Sequence, residues 1–247
     1  MKIVHIADKL ESIGVSPGEV NLGDFDRIAE FTAKRERSRE EQNYKKYGCF
    51  YRSNYERGIL VYYLIKQLEI KSLLEIGFGR GYVSFCAAKA FHDLGVTGKI
   101  VSIDPGVDER YQQALRQVLP QEWFSFISLM KGTSEQILPQ LQSHKFDLVY
   151  IDGDHSYQAT KHDWEMTKNL FEKCALFDDY HMKSKNDPGI QCSQAIDEID
   201  WQAENCLEPE LIRMDRRMFA DERKFTDEQI DYGQVLLTKS NVSNADW

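Results

Sequence analysis

The chain has 247 residues, 42% hydrophobic and 29% charged, with a formal net charge of −9. That size allows one packed α/β domain and an extension. The acidic balance excludes a general nucleic-acid binder, which needs a basic surface to meet phosphate.

Residues 1 to about 70 read as mostly helical and polar. Phe25, Ile28, Ala29 and Phe31 have helical spacing, and the mixed-sign stretch Lys34–Lys46 reads as a solvated helix or loop. A second helix is expected over Tyr55–Leu68, where Ile59, Leu60, Tyr62, Tyr63 and Leu64 give a wide apolar face. From Ser72 the pattern alternates. Strands are expected at 72–76, 99–103, 124–130, 146–151 and 174–178, with helices at 81–93, 108–118, 133–142 and 156–170 between them. Such alternation implies a doubly wound, mostly parallel sheet covered on both faces. A later helix is expected over Cys192–Ala203, then strands near 209–214 and 232–238, the last an antiparallel edge, and a frayed tail. The expected organisation is a helical extension over 1–54, an α/β domain over 55–240 and a flexible tail over 241–247.

No apolar run approaches the roughly 18–20 residues that span a bilayer, and Met1–His5 is too short for a secretory signal. Cys49, Cys86, Cys174, Cys192 and Cys206 are widely spaced and form no C-x-x-C pair. They read as reduced thiols of a cytoplasmic protein, not as a zinc site.

The run Leu73-Leu74-Glu75-Ile76-Gly77-Phe78-Gly79-Arg80-Gly81 ends a strand in an acid and three alternating glycines, and a helix follows. Alone it could be a tight turn. A second strand, Ile100–Asp104, also ends in an acid, placed to accept hydrogen bonds from ribose hydroxyls. The third glycine comes one position early for a dinucleotide fingerprint. Glu75 would repel a pyrophosphate but suits the amino group and sulfonium of S-adenosylmethionine. Thr133 and Ser134 follow the third strand, where they could face an adenine or simply cap a helix.

Asp147, Asp152, Asp154 and His155 form a second cluster around the fourth strand, and Asp178-Asp179-Tyr180-His181 ends the fifth. Strand ends in a doubly wound sheet line one crevice. Asp152, Asp178 and Asp179 would converge there and repel one another unless a cation intervenes. Hard oxygen donors suit Mg²⁺, Ca²⁺ or Mn²⁺ better than zinc. Capping of the next helix by Asp154 or Ser156 is the plainer alternative, and Asp163 and Asp187 read as solvated.

The chain resembles the class I S-adenosylmethionine-dependent methyltransferases over about Tyr55–Lys239. With I-D-G-D-H-S-Y and F-D-D-Y it is similar to the divalent-metal-dependent O-methyltransferases of natural-product sugars, the macrocin-type and aminocoumarin-sugar group. The resemblance implies a Rossmann-like fold with an antiparallel last strand. It implies that Glu75, Gly77, Gly79 and Gly81 wrap the methionine portion and that Asp104 holds the ribose. Thr133, Ser134 and Asp152 would complete the cofactor site. Asp152, Asp178 and Asp179 would hold the cation, Mg²⁺ first. The catalytic base would be His155 or Asp154, with imidazole having the better resting pKa, or His155 is a helix-start residue with a structural bond. His181 could be an outer ligand, and Arg52, Tyr55 and Arg57 could roof the cofactor. His5, His92, His144 and His162 read as surface residues. The implied acceptor is a small molecule carrying a hydroxyl, with no nucleic-acid or membrane partner. The amino-terminal helices are a plausible homo-oligomer surface. An oxidoreductase of the same fold, a hydroxylase-associated relative and a non-catalytic subunit are the rival readings.

Overall fold

The computed structural model describes residues 1–15, 55–79, 81–107, 109–117, 119–182, 191–213 and 232–242. The helix expected near 25–31, the charged stretch 34–46, Cys49, Arg52, Asp187 and the side chains of Tyr55 and Arg57 lie outside them. So do residues 243–247.

Strands β1 (Lys2–His5), β2 (Ser72–Ile76), β3 (Lys99–Asp104), β4 (Ile127–Lys131), β5 (Phe146–Ile151), β6 (Phe171–His181), β7 (Glu210–Arg213) and β8 (Tyr232–Thr238) form one sheet. Its order is β1-β7-β8-β6-β5-β2-β3-β4. Only β8 runs antiparallel to its neighbours, β6 and β7. The described helices are α1 (Ile6–Ser12), α2 (Tyr55–Gln67), α3 (Tyr82–Leu94), α4 (Glu109–Arg116), α5 (Gln121–Phe124), α6 (Ser134–Ile137), α7 (Tyr157–Thr167) and α8 (Cys192–Asp197). No helix among the described residues is long and apolar enough to cross a membrane.

Period-two alternation sorts each strand between two cores. Leu73, Ile100, Leu148, Leu176, Ile212 and Leu236 face the layer of α1, α2, α3 and α5. Leu74, Ile76, Val101, Val149, Phe177 and Val235 face the layer of α6, α7 and α8. The two helices α2 and α3 cross closely at Gly58, where a Cβ would lie 2.4 Å from Cys86 Sγ and 2.5 Å from the Tyr82 ring. Gly58→Val is therefore expected to destabilise the chain by about 1–3 kcal/mol, read as a lowered thermal midpoint.

Several expectations need correction. The first residues are not only helical, because Lys2–His5 pairs in parallel with Glu210–Arg213. Ile6, Ala7 and Leu10 of α1 are then buried, and Lys9, also buried, reaches Glu210 at 2.5 Å. Thus β8 is not an edge; β7 and β1 lie beyond it. The third strand begins at Ile127, since Gln121–Phe124 folds as α5 to bury Trp123 and Phe124. The helix expected over 133–142 is split into α6 and a 3-10 turn at Leu138–Leu141, with Pro139 at its start. The helix from Cys192 stops at Asp197. Val242, placed in the expected tail, is buried against the first core.

Four cysteines are described, and all are free and buried. Burial pushes the Cys174 thiol up to about 12 and the Cys192 thiol up to about 11. Neither is ionised near neutrality, so both behave as small apolar residues.

Candidate active site

The carboxyl ends of β4, β3, β2, β5 and β6 stand side by side, joined by the register pairs Asp104↔Lys131, Ile76↔Ile103, Ile76↔Ile151 and Ile151↔Phe177. The glycine loop leaves the middle of this row. Gly77, Gly79 and Gly81 have φ of +88°, +51° and +79°. Gly77 is locked against the neighbouring strand: a Cβ there would lie 1.8 Å from the Asp152 carbonyl oxygen. At Gly79 the reverse holds, since a Cβ would meet none of the described residues within 4 Å. The loop thus keeps an open cradle at its tip and a tight seam at its base.

Asp104 ties that tip down. Its Oδ2 accepts the Gly79 N–H at 2.8 Å and its Oδ1 accepts the Gly106 N–H at 2.6 Å. A carboxylate has lone pairs to spare after two such bonds, so it can also receive hydroxyls from above. Glu75 sits differently from the expectation of a ligand-facing acid. It is buried beneath the loop, bonded to the Ser84 hydroxyl, which also meets Ser102 Oγ at 2.6 Å. Burial pushes its carboxyl up to about 8. Its described contacts fasten β2 to α3 and β3.

At the end of β4, Thr133 caps α6 in a capping box, its N–H donating to Gln136 Oε1 at 3.1 Å. Ser134 bonds instead to Asp163. Asp163 is 1% exposed, not solvated as expected. Among the described residues one of its oxygens has no hydrogen-bond partner, nor has the buried Nε2 of His162, which was expected at the surface. Its other oxygen lies so close to Gly153 that a Cβ there would come within 3.0 Å. Asp163 therefore props the loops after β4 and β5 from below. Burial pushes its carboxyl up from 3.8 to about 6. A raised acid favours folding below its unfolded value and loses that contribution as pH rises through its folded value. The loss amounts to about 2 kcal/mol between pH 4 and pH 7. Asp163→Asn is expected to be more stable than wild type at pH 7.5 and to lose that advantage at pH 4, as thermal midpoints would show.

The loop after β5 carries the second cluster. His155 Nε2 stands 3.5 Å from Asp152 Oδ1 and 3.3 Å from Asp179 Oδ2. One ligand atom from each of these three residues lies within 4.8 Å of the others. The Asp152 hydrogen bond, with Asp179 and Asp178 nearby, pushes the imidazole up to about 9. Asp154 is exposed and turned to Ser156, whose N–H donates to it at 2.8 Å, and its carboxyl is lowered by that bond. Ser156 caps α7. Asp147 is at the other end of β5, accepting the Lys71 N–H at 2.6 Å, and does not join the cluster.

Asp178 and Asp179 sit in a β-bulge, where the pairing of β6 with β8 shifts between Phe177 and Tyr180. Asp179 has φ +52°. Asp178, expected beside Asp152 as a third ligand, is buried and lines the same cleft as Asp152 and His155; Tyr150 Oη donates to its Oδ2 at 2.6 Å. Gln234 Nε2 donates in turn to Tyr150 Oη at 2.9 Å. The N–H of His181 donates to Ser193 Oγ at 2.8 Å. Tyr150, Asp163 and Gln234 escape a reading by motif. Gln234 does leave a trace, as a polar residue at an inward position of an apolar strand.

Residues 74–180 match the family model described as a methyltransferase domain. A curated protein of Mycobacterium sp. (strain JLS), named as a candidate O-methyltransferase, is 28% identical over 103 residues. That match takes in 41% of this chain and 44% of the relative, so the chain spans less than half of the relative's length. Among solved structures, the domain is similar in fold to the O-methyltransferase TomG of Streptomyces achromogenes in complex with SAM. The TM-score is 0.57 at 17% identity, covering 82% of this chain and 88% of that one. The O-methyltransferase of Bacillus cereus in complex with SAH has a TM-score of 0.55 at 17% identity, over 74% and 80%. Podospora anserina PaMTH1, bound to SAH, covers 87% of each chain with a TM-score of 0.53 at 15% identity.

Proposed function

We propose that this chain transfers the methyl group of S-adenosylmethionine to a hydroxyl of a sugar or another small polyhydroxylated metabolite, assisted by a divalent cation, with Mg²⁺ the expected ion. The observation that carries this reading is the seam at Gly77. The glycine loop and the Asp152 backbone touch there, so a donor cradled by the loop lies beside whatever the Asp152 cluster holds. The residues fit both groups. Gly79 leaves open space above Asp104, and Asp152 and Asp179 present oxygens at a spacing one cation can bridge.

Transfer breaks the bond from sulfur to the methyl carbon and forms a carbon–oxygen bond, and the sulfur leaves as a neutral thioether. The hydroxyl proton must go to a base. A bound cation stabilises alkoxide charge and orients the hydroxyl. Asp152 and Asp179 are the carboxylates proposed to hold it. His155 is the proposed base; Asp154, held by Ser156 and lowered, is the weaker candidate. Alone, His155 is kept protonated by its two carboxylates. Positive charge seated on those carboxylates would repel its proton and free the imidazole to act. A vicinal diol, able to chelate, is the natural acceptor.

Calorimetry with S-adenosylhomocysteine and NAD tests the donor. Binding of the first and not the second is expected; the reverse would favour the oxidoreductase reading. Turnover on a panel of sugars and diols, with and without chelator, tests the acceptor and the cation. Full turnover in chelator would remove the cation from the proposal.

A further inference from the structure

We propose that Gln234 and Tyr150 are positioning residues, which hold the β6 bulge in the conformation that presents Asp179 to Asp152 and His155. The proposal rests on the methyltransferase reading for its function, but its geometry stands on the fold. Phe177 pairs with Val235 and Tyr180 with Gly233. Two residues of β6, Asp178 and Asp179, thus oppose one residue of β8, Gln234. Phe177 and Tyr180 both pack in the same core layer, which a regular strand forbids for residues three apart. The extra residue resolves that conflict and frees Asp179 from the alternation.

Asp178 spends its carboxylate inside this bulge. Its Oδ1 accepts the N–H of Asp179 at 2.7 Å, and its Oδ2 accepts from Tyr150 Oη at 2.6 Å. The Tyr150 hydroxyl is oriented in turn by Gln234 Nε2 at 2.9 Å. Behind the bulge, the Cys192 thiol donates to the Asp179 carbonyl at 3.1 Å.

Three costs meet here. A non-glycine residue takes a left-handed φ, a carboxylate is 4% exposed, and Gln234, 0% exposed, leaves Oε1 with no donor among the described residues. Strand pairing alone would be better served by an apolar residue at 234 and an unbulged β6. Costs concentrated at one point are the mark of a geometry kept for use. What the arrangement delivers is the 3.3 Å approach of Asp179 to His155.

The test uses Tyr150→Phe and Gln234→Leu in the intact chain, with three readouts. The first is Mn²⁺ affinity in the presence of S-adenosylhomocysteine, followed by electron paramagnetic resonance. Tyr150→Phe is expected to weaken it tenfold or more and Gln234→Leu several-fold. The second is the thermal midpoint. Gln234→Leu trades one hydrogen bond to Tyr150 for the removal of a buried amide oxygen that has no donor among the described residues, so it should be about as stable as wild type. A loss of affinity without a loss of stability is what a merely structural role would not produce. The third is a crystal structure of Tyr150→Phe, expected to show Asp179 out of its left-handed conformation or turned from His155. Both variants should bind S-adenosylhomocysteine as wild type does. An unchanged bulge and unchanged Mn²⁺ affinity in both variants would overturn the proposal while leaving the methyltransferase reading intact. A wild type that binds neither Mn²⁺ nor S-adenosylhomocysteine would defeat that reading instead, and the crystal structure would still decide whether the relay shapes the bulge.

Discussion

Gly77→Ala is expected to abolish S-adenosylhomocysteine binding and to lower the thermal midpoint by several degrees. The added Cβ would lie 1.8 Å from the Asp152 carbonyl oxygen and 2.5 Å from its carbon. Both are backbone atoms, so no rotamer change relieves the clash. The φ of +88° adds the strain of an L residue in a region suited to glycine. Together these amount to about 2–4 kcal/mol, met by parting β2 from β5 where the proposed donor and acceptor sites abut. Gly79→Ala makes the contrast. Its Cβ meets no atom of the described residues within 4 Å, so the φ strain, about 1 kcal/mol, is the main cost to the fold. That methyl would nevertheless occupy the cradle. Calorimetry and melting on both variants should show affinity lost in each and stability lost mainly in the first. Wild-type affinity in Gly79→Ala would mean that the ligand does not approach the loop there.

Asp152→Asn is expected to lower turnover by about 10²–10⁴-fold, the range for removing an acid–base function, because it would weaken the proposed cation site and the proposed base together. Its effect on His155 can be followed separately. With Asp152 as the largest cause of the rise to about 9, the imidazole of the variant should titrate closer to its ordinary value, as NMR of the ring protons would report. The stability consequence has a definite sign. A histidine raised in the folded state stabilises it fully below the unfolded value of 6.5 and loses this as pH rises through about 9. Wild type should therefore exceed the variant in thermal midpoint most at pH 6 and least near pH 10. A difference that grows with pH would contradict the His155–Asp152 contact.

The sheet was legible because its inner strands are long apolar runs between helices of the right period. Leu73–Ile76, Ile100–Ile103 and Leu148–Ile151 are of this kind. The short outer strand was not. Lys2–His5 is too brief to show alternation, and its partner lies more than 200 positions away at Glu210. The glycine loop and its acid at 104 were readable because spacing alone specifies them, whereas the burial of Glu75 depends on Ser84 and Ser102 from two other elements. Asp178 and Asp179 stand together in sequence, and nothing in that pair reveals that a bulge sends them different ways. That requires Gln234, from a strand that the chain reaches some fifty residues later.

Strand β1 holds a peculiar place in time. Lys2 aligns with Glu210, so this strand must wait for a partner some two hundred positions further along before it can dock. Loop closure over such a separation is slow to form and early to open. The amides of Ile3 and Val4 should exchange with deuterium well ahead of those in β2 and β5. During synthesis this ribbon stays unpaired until β7 is made, and Ile3 is still 60% exposed once docked.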